Sequence, residues 1–99
     1  MGADVDSLPY TLVNTRPFER AYRRFARKHP ELRSAVSKTF DALANNPFAP
    51  SLRLHALTGS LAGKQAVSVN YAYRIVLCVE ISDREIILHN IGTHDEVYG

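Results

Sequence analysis

Apolar side chains recur at Phe18, Ala21, Tyr22 and Phe25, an i, i+3, i+4, i+7 spacing that predicts a helix with one buried face. Arg20, Arg23, Arg24 and Arg27 fall on the opposite face. Asn14 or Thr15 can cap its start, and Pro17 is tolerated in the first turn. The helix should close near Lys28, because Pro30 disfavours helical geometry at His29. A second stripe, Leu32, Val36, Thr39, Phe40 and Leu43, predicts another helix over about 31–44. So short a connection folds the two back as a hairpin. Tyr10 to Val13 reads as a short strand ahead of them, and Asn45 to Pro50 as a loop behind.

Beyond the loop the pattern shifts to extended segments. Arg53 to Leu57 leads to a turn at Thr58-Gly59-Ser60, and Lys64 to Val69 forms a strand. Asn70-Tyr71-Ala72 reverses the chain into the longest strand, Tyr73 to Ile81. Ser82-Asp83-Arg84 turns it again into a last strand, Glu85 to Ile91. Hairpin-length connections imply antiparallel pairing. The fold class is therefore α+β, an N-terminal helical hairpin packed on an antiparallel β-sheet meander. Along the longest strand Tyr73, Ile75, Leu77 and Val79 should meet the helices, with Arg74, Val76, Cys78 and Glu80 on the other face. Thr93-His94-Asp95-Glu96 matches a capping box, which predicts a helical turn after Gly92.

A chain of 99 residues with 45% hydrophobic content fits one globular domain, with residues 1–9 as a flexible tail. Cys78 is the sole cysteine and is expected to be a buried thiol. The N-terminus has no apolar signal core, and no stretch approaches membrane-spanning length, so a soluble cytoplasmic protein is expected. The net charge of +2 argues little by itself. Its distribution says more: six basic residues stand between Arg16 and Lys28 against Glu19 alone. Such a patch suits contact with a polyanion.

Candidate chemistry is sparse. Arg74, on the face away from the helices, can pair with a carboxylate or hold a phosphate bidentately. His94, in its turn, can act as acid or base near neutral pH, or be simply solvated. His55 has the same two readings. Tyr98, four residues after His94, can stack an RNA base or pack the C-terminus down. Lys64 can contact phosphate or face water. His29 suits a helix end, and His89 suits packing. The sequence has no metal-ligand spacing, phosphate-cradling glycine loop or nucleophile elbow, so neither metal nor cofactor is expected. RNA can be cut without either, because its own 2′-hydroxyl attacks the phosphate once a base, a cation and an acid are supplied.

The order of strand, helix hairpin and meander resembles the RelE/ParE toxin superfamily. The segment from His55 through Leu57-Thr58-Gly59 to Gly63 is similar to the "HPLTGxxKG" stretch of YafQ-type toxins. Tyr73-Arg74-Ile75-Val76 is similar to the "YRIIY" strand of RelE-type toxins. Gly92-Thr93-His94 with Tyr98 resembles the YafQ-type ending. The resemblance implies a type II toxin that cuts messenger RNA on the ribosome and is restrained by a cognate antitoxin protein. It implies His94 as general acid, Arg74 facing the scissile phosphate, His55 as a site histidine and Tyr98 as the closing aromatic. Lys64 and the helix arginines Arg20, Arg23 and Arg27 are candidate RNA contacts. The chain departs from the YafQ pattern at Ser68 and Ala72, where a histidine and an aspartate are expected. It also lacks RelE-type lysines, having Gln65, Val67 and Val69 on that strand. His55 is then the candidate base. A ParE-like gyrase inhibitor and an inactive RelE-fold binding module are the alternatives; the Gly-Thr-His ending favours the nuclease.

Overall fold

A computed structural model describes residues 8–98, so most of the tail expected over 1–9 lies outside the described residues. The elements are β1 (Thr11–Asn14), α1 (Arg16–Lys28), α2 (Arg33–Asn45), β2 (His55–Ala56), β3 (Gln65–Ser68), β4 (Tyr73–Glu80), β5 (Glu85–Thr93) and α3 (His94–Tyr98).

Of the two possible caps for α1, Thr15 is used. Its Oγ1 accepts from the Phe18 amide at 3.2 Å and donates to the Leu88 carbonyl at 2.7 Å. One hydroxyl thus satisfies an orphan helix amide and ties the helix start to β5. Phe18, Ala21 and Phe25 are buried as their spacing predicts, with Tyr22 half-buried beside them. The rings of Phe18, Tyr22 and Phe40 lie 6.1–6.2 Å apart, which locks the two helices together.

Pro30 ends α1 as expected, but α2 begins at Arg33, two residues later than about 31. His29 is forced to φ −133°, ψ 61°. The chain re-enters helical geometry through a tight Pro30–Leu32 turn, in which the Leu32 amide donates to the His29 carbonyl at 3.0 Å.

The sheet order is β1-β5-β4-β3-β2. The meander expected from the hairpins is β2 through β5, all antiparallel. β1 joins the far edge in parallel, with Thr11 opposite Glu85, so the sheet is mixed. Hairpin logic does not reach β1, because its partner lies at the other end of the chain. Pairing along β4 passes from Val76–Asn90 to Leu77–Leu88, which makes His89 the extra residue of a bulge. The bulge keeps Leu88 and Ile91 both in the core despite their three-residue spacing.

Ile75, Leu77, Ile86, Leu88 and Ile91 meet the helices, joined by Val67. The alternation assigned to β4 therefore holds. The outer face carries buried Ala66 and Val76. α3 packs there on β4 and β5, and its Val97 is buried as well. Registered neighbours stand side by side on one face. His55 pairs with Ala66 and Ala66 with Val76; Ser68 pairs with Arg74 and Arg74 with Gly92. Two adjacent rows of the outer face thus contain His55 and Arg74.

Candidate active site

The capping box forms as its spacing predicts. The Thr93 amide donates to Glu96 Oε1 at 2.8 Å, and the Glu96 amide donates to Thr93 Oγ1 at 3.2 Å. Gly92 makes room for this: a Cβ there would stand 2.9 Å from Glu96 Oε1. The helical turn that follows sets His94 and Tyr98 on one face, their ring centroids 4.4 Å apart and nearly perpendicular.

The Thr93 amide, aided by the charges of Lys28 and His29, holds the Glu96 carboxyl below the usual carboxylate range. A carboxyl whose pKa falls on folding stabilises the fold above its unfolded value, near 4.5, and that contribution is lost as pH drops through the folded value. The Thr93 and Glu96 amides are therefore expected to lose hydrogen-exchange protection as acid protonates Glu96, while the rest of the sheet stays protected. In Glu96→Gln the local protection should be pH-independent over the same range. Protection unchanged by acid in the unaltered protein would show that the carboxylate does not hold α3.

His94, Tyr98, His55, Thr58 and Ser60 line one hollow of about 360 Å³, between α3 and the β2 edge. The His94 side chain is 70% exposed, so its ring is open to a large ligand. Asp95 lies 3.7 Å from His94 Nδ1, but both are solvated and the pair adds little stability. His55 Nδ1 lies 2.9 Å from the Arg53 carbonyl oxygen. A carbonyl only accepts, so Nδ1 carries the hydrogen and the neutral ring leaves Nε2 free to take a proton. The Tyr98 hydroxyl is buried without a hydrogen-bond partner, and burial pushes its pKa up against the opposing charge of Arg74. It remains a phenol and an unspent donor.

Arg74 is on the same outer face but lines an adjoining depression with Arg53, Ser68, Asn70 and Tyr71. Its Nη1 donates to the carbonyls of Asn70 at 2.9 Å, Tyr71 at 3.2 Å and Tyr73 at 3.1 Å. The other edge of the guanidinium makes no hydrogen bond among the described residues. Arg74 and His94 are thus neighbours across two hollows, with Tyr98 between them feeling the arginine's charge. Ser68 stands beside Arg74 in the register, and Ala72 is exposed at the turn.

Residues 10–99 match the family described as "Bacterial toxin of type II toxin-antitoxin system, YafQ". The chain belongs to the YafQ toxin family. No curated protein matches it by sequence. Its fold is similar to that of YafQ from E. coli, with 17% identity and a TM-score of 0.74 over 91% of this chain and 99% of that one. The E. coli DinJ–YafQ toxin–antitoxin complex matches with 17% identity and a TM-score of 0.73 over 92% and 99%. The RelBE2 toxin–antitoxin complex of Mycobacterium tuberculosis matches with 20% identity and a TM-score of 0.69 over 87% and 99%. The RelE-like fold expected from the resemblance is the one observed.

Other candidates lie away from the hollow in this YafQ-family toxin. Lys64 precedes β3, near Cys78 and His89. Burial, with the Lys64 charge adding to it, keeps His89 below its ordinary pKa. Cys78 is half-buried on the outer face rather than sealed in the core, with Sγ 3.5 Å from the Gly63 carbonyl. Burial raises its pKa in spite of Lys64. Arg20, Arg23 and Arg27 are exposed on α1, on the opposite side of the sheet from α3. Among the described residues no lysine or arginine is within ion-pair distance of a carboxylate. His29, expected merely to suit a helix end, packs between Phe25 and Tyr73 with Nε2 3.2 Å from the Tyr73 hydroxyl. No group of three metal-binding side chains converges among the described residues, and no described helix is long and apolar enough to cross a membrane.

Sequence reasoning missed the Asn70–Tyr73 turn and Arg53 as site elements. The turn is legible in Asn70-Tyr71-Ala72, but nothing in the sequence places Arg53 beside it.

Proposed function

We propose that this type II toxin is an endoribonuclease that cuts messenger RNA held on the ribosome, in the cytoplasm, through the His94 hollow. The observation that carries the reading is the exposed His94 ring braced edge-on by Tyr98 at the rim of a hollow shared with His55. His55 Nε2 takes the proton of the ribose 2′-hydroxyl, and the 2′-oxygen attacks the adjacent phosphorus. The P–O5′ bond breaks, and His94 gives its proton to the departing 5′-oxygen. The products are a 2′,3′-cyclic phosphate and a free 5′-hydroxyl, so no water, metal or cofactor enters the balance. The free edge of Arg74 supports the phosphate as charge builds on its oxygens. Tyr98, a wall of the same hollow, offers its ring to the nucleotide.

The exposed arginines Arg20, Arg23 and Arg27 supply sequence-independent attraction to the RNA backbone, as does Lys64 at the foot of the sheet. The DinJ–YafQ and RelBE2 complexes pair relatives with antitoxins. A cognate antitoxin, acidic enough to meet the same arginines, is the expected partner here. The test is to add the purified toxin to an in vitro translation reaction, map cuts by primer extension and identify the new ends. Ribosome-dependent cuts leaving 2′,3′-cyclic phosphates are expected. Intact transcripts, or inhibition of DNA supercoiling by gyrase instead, would overturn the reading.

A further inference from the structure

We propose that the β3–β4 turn and Arg53 form a second RNA subsite beside the His94 hollow. In it Tyr71 stacks on an unpaired base, and Arg53 holds a neighbouring phosphate beside the one that the free edge of Arg74 supports. The inference rests on the endoribonuclease reading and adds to it the residues that position the strand.

Tyr71 is 98% exposed, against 61% for Ile81 and less for Leu8 and Phe48, the other exposed large apolar side chains among the described residues. It contributes nothing to packing, yet the segment that presents it is braced from three directions. Asn70 Oδ1 accepts from the Ala72 amide at 2.9 Å and the Tyr73 amide at 3.0 Å. The Val69 amide donates to the Tyr73 carbonyl at 2.9 Å. Arg74 Nη1 gathers the carbonyls of Asn70, Tyr71 and Tyr73. A ring on a fixed tip costs little ordering when a base lands on it, and base–aromatic stacking is how single-stranded RNA is held without reading its sequence.

The depression beneath the ring has the matching chemistry. Ser51, Arg53, Ser68, Asn70 and Arg74 line it, two cations with hydroxyl and amide groups and no carboxylate. Arg53 sits at φ 54°, a left-handed conformation that side chains rarely adopt. The same residue's carbonyl receives His55 Nδ1, so subsite and hollow share a fixed piece of backbone. Along β3 the Ser68 row stands two residues from the Ala66 row that holds His55, about 6.6–6.8 Å. That is one nucleotide's reach along an extended strand, which places the stacked base next to the link being cut.

The test uses the full chain and a short single-stranded RNA, 2′-O-methylated so that it cannot be cut and carrying one 2-aminopurine. The unaltered toxin and Tyr71→Phe should quench the 2-aminopurine fluorescence. Tyr71→Leu should lose the quench and bind about 5- to 150-fold more weakly, the range expected for one lost stack. Arg53→Gly, comfortable at this φ, should weaken binding and flatten its salt dependence. An unchanged quench and affinity in Tyr71→Leu overturns the subsite, as does absence of quench with the unaltered toxin. A Tyr71→Leu defect confined to binding the cognate antitoxin also overturns it, assigning the tip to a protein contact. Cleavage by the unaltered toxin in the translation reaction is scored separately. Cuts there with no Tyr71 effect sink the subsite alone, while absence of cuts sinks the endoribonuclease reading beneath it.

Discussion

His94→Ala is expected to lower ribosome-dependent cleavage by roughly 10²- to 10⁴-fold, the usual worth of a positioned acid, and to end growth arrest in cells expressing the toxin alone. The fold should be untouched, because the ring is 70% exposed and touches only the Tyr98 ring and the solvated Asp95 carboxylate among the described residues. Circular dichroism and the urea midpoint should therefore match those of the unaltered chain. A control separates roles within the hollow. His55→Ala should slow cutting as well, because the nitrogen it removes is the one left unprotonated by the Arg53 carbonyl. If His55 only fixes the β2 edge, His55→Asn, which can still donate to that carbonyl, should restore the rate. Single-turnover cleavage on stalled ribosomes reads both. Full toxicity in His94→Ala would remove acid catalysis by this ring.

Phe18→Ala is the substitution expected to cost the fold most. The side chain is 2% exposed and lies between Tyr22, Phe40 and the sheet. Truncating a buried phenylalanine costs about 3–5 kcal/mol in lost transfer energy and residual cavity. A domain of this size is stable by roughly 5–15 kcal/mol, and a thin core places it toward the lower end. The urea midpoint should fall by a third or more, and toxicity should fall with it although Phe18 is on the far side of the sheet from α3. Binding to folded chain alone stabilises by mass action, so cognate antitoxin at saturating concentration should recover much of the loss. A midpoint unchanged within error would mean that the helix hairpin is not anchored through this ring.

Much of this architecture was legible from local rules. Phe18, Ala21 and Phe25 revealed the buried side of α1, Pro30 its end, and the alternation through Ile75 and Leu77 the two faces of β4. The reciprocal cap at Thr93 and Glu96 also followed from spacing, and with it the shared face of His94 and Tyr98. What escaped was non-local. No spacing announces that Thr11 lies parallel to Glu85, since seventy-odd residues separate the partners. The bulge at His89 breaks the alternation that strand reading relies on, and it is stabilised by the core placement of Leu88 and Ile91 together. Arg74 could be put on a face but not aimed, because its anchors are carbonyls, and every residue has one. His55 could be read from its type alone as an acid or base or as simply solvated, and only the family resemblance singled it out as the base. Its hydrogen bond to Arg53, which decides the tautomer, depends on a left-handed backbone at a non-glycine position that no local preference favours.

The parallel pairing of β1 with β5 also governs when the sheet can close. β5 is the seam between the first strand and the rest of the sheet, and its partners β1 and β4 can both be in place only after residue 93 exists. His94 and Tyr98 follow immediately, on α3. A chain that has not yet reached residue 93 therefore has neither a closed sheet nor the face that joins His94 to Tyr98. Contacts this distant in sequence also form slowly. Until β5 is laid down, the edges of β1 and β4 that it joins stay open, and the two halves of the sheet have nothing to hold them together.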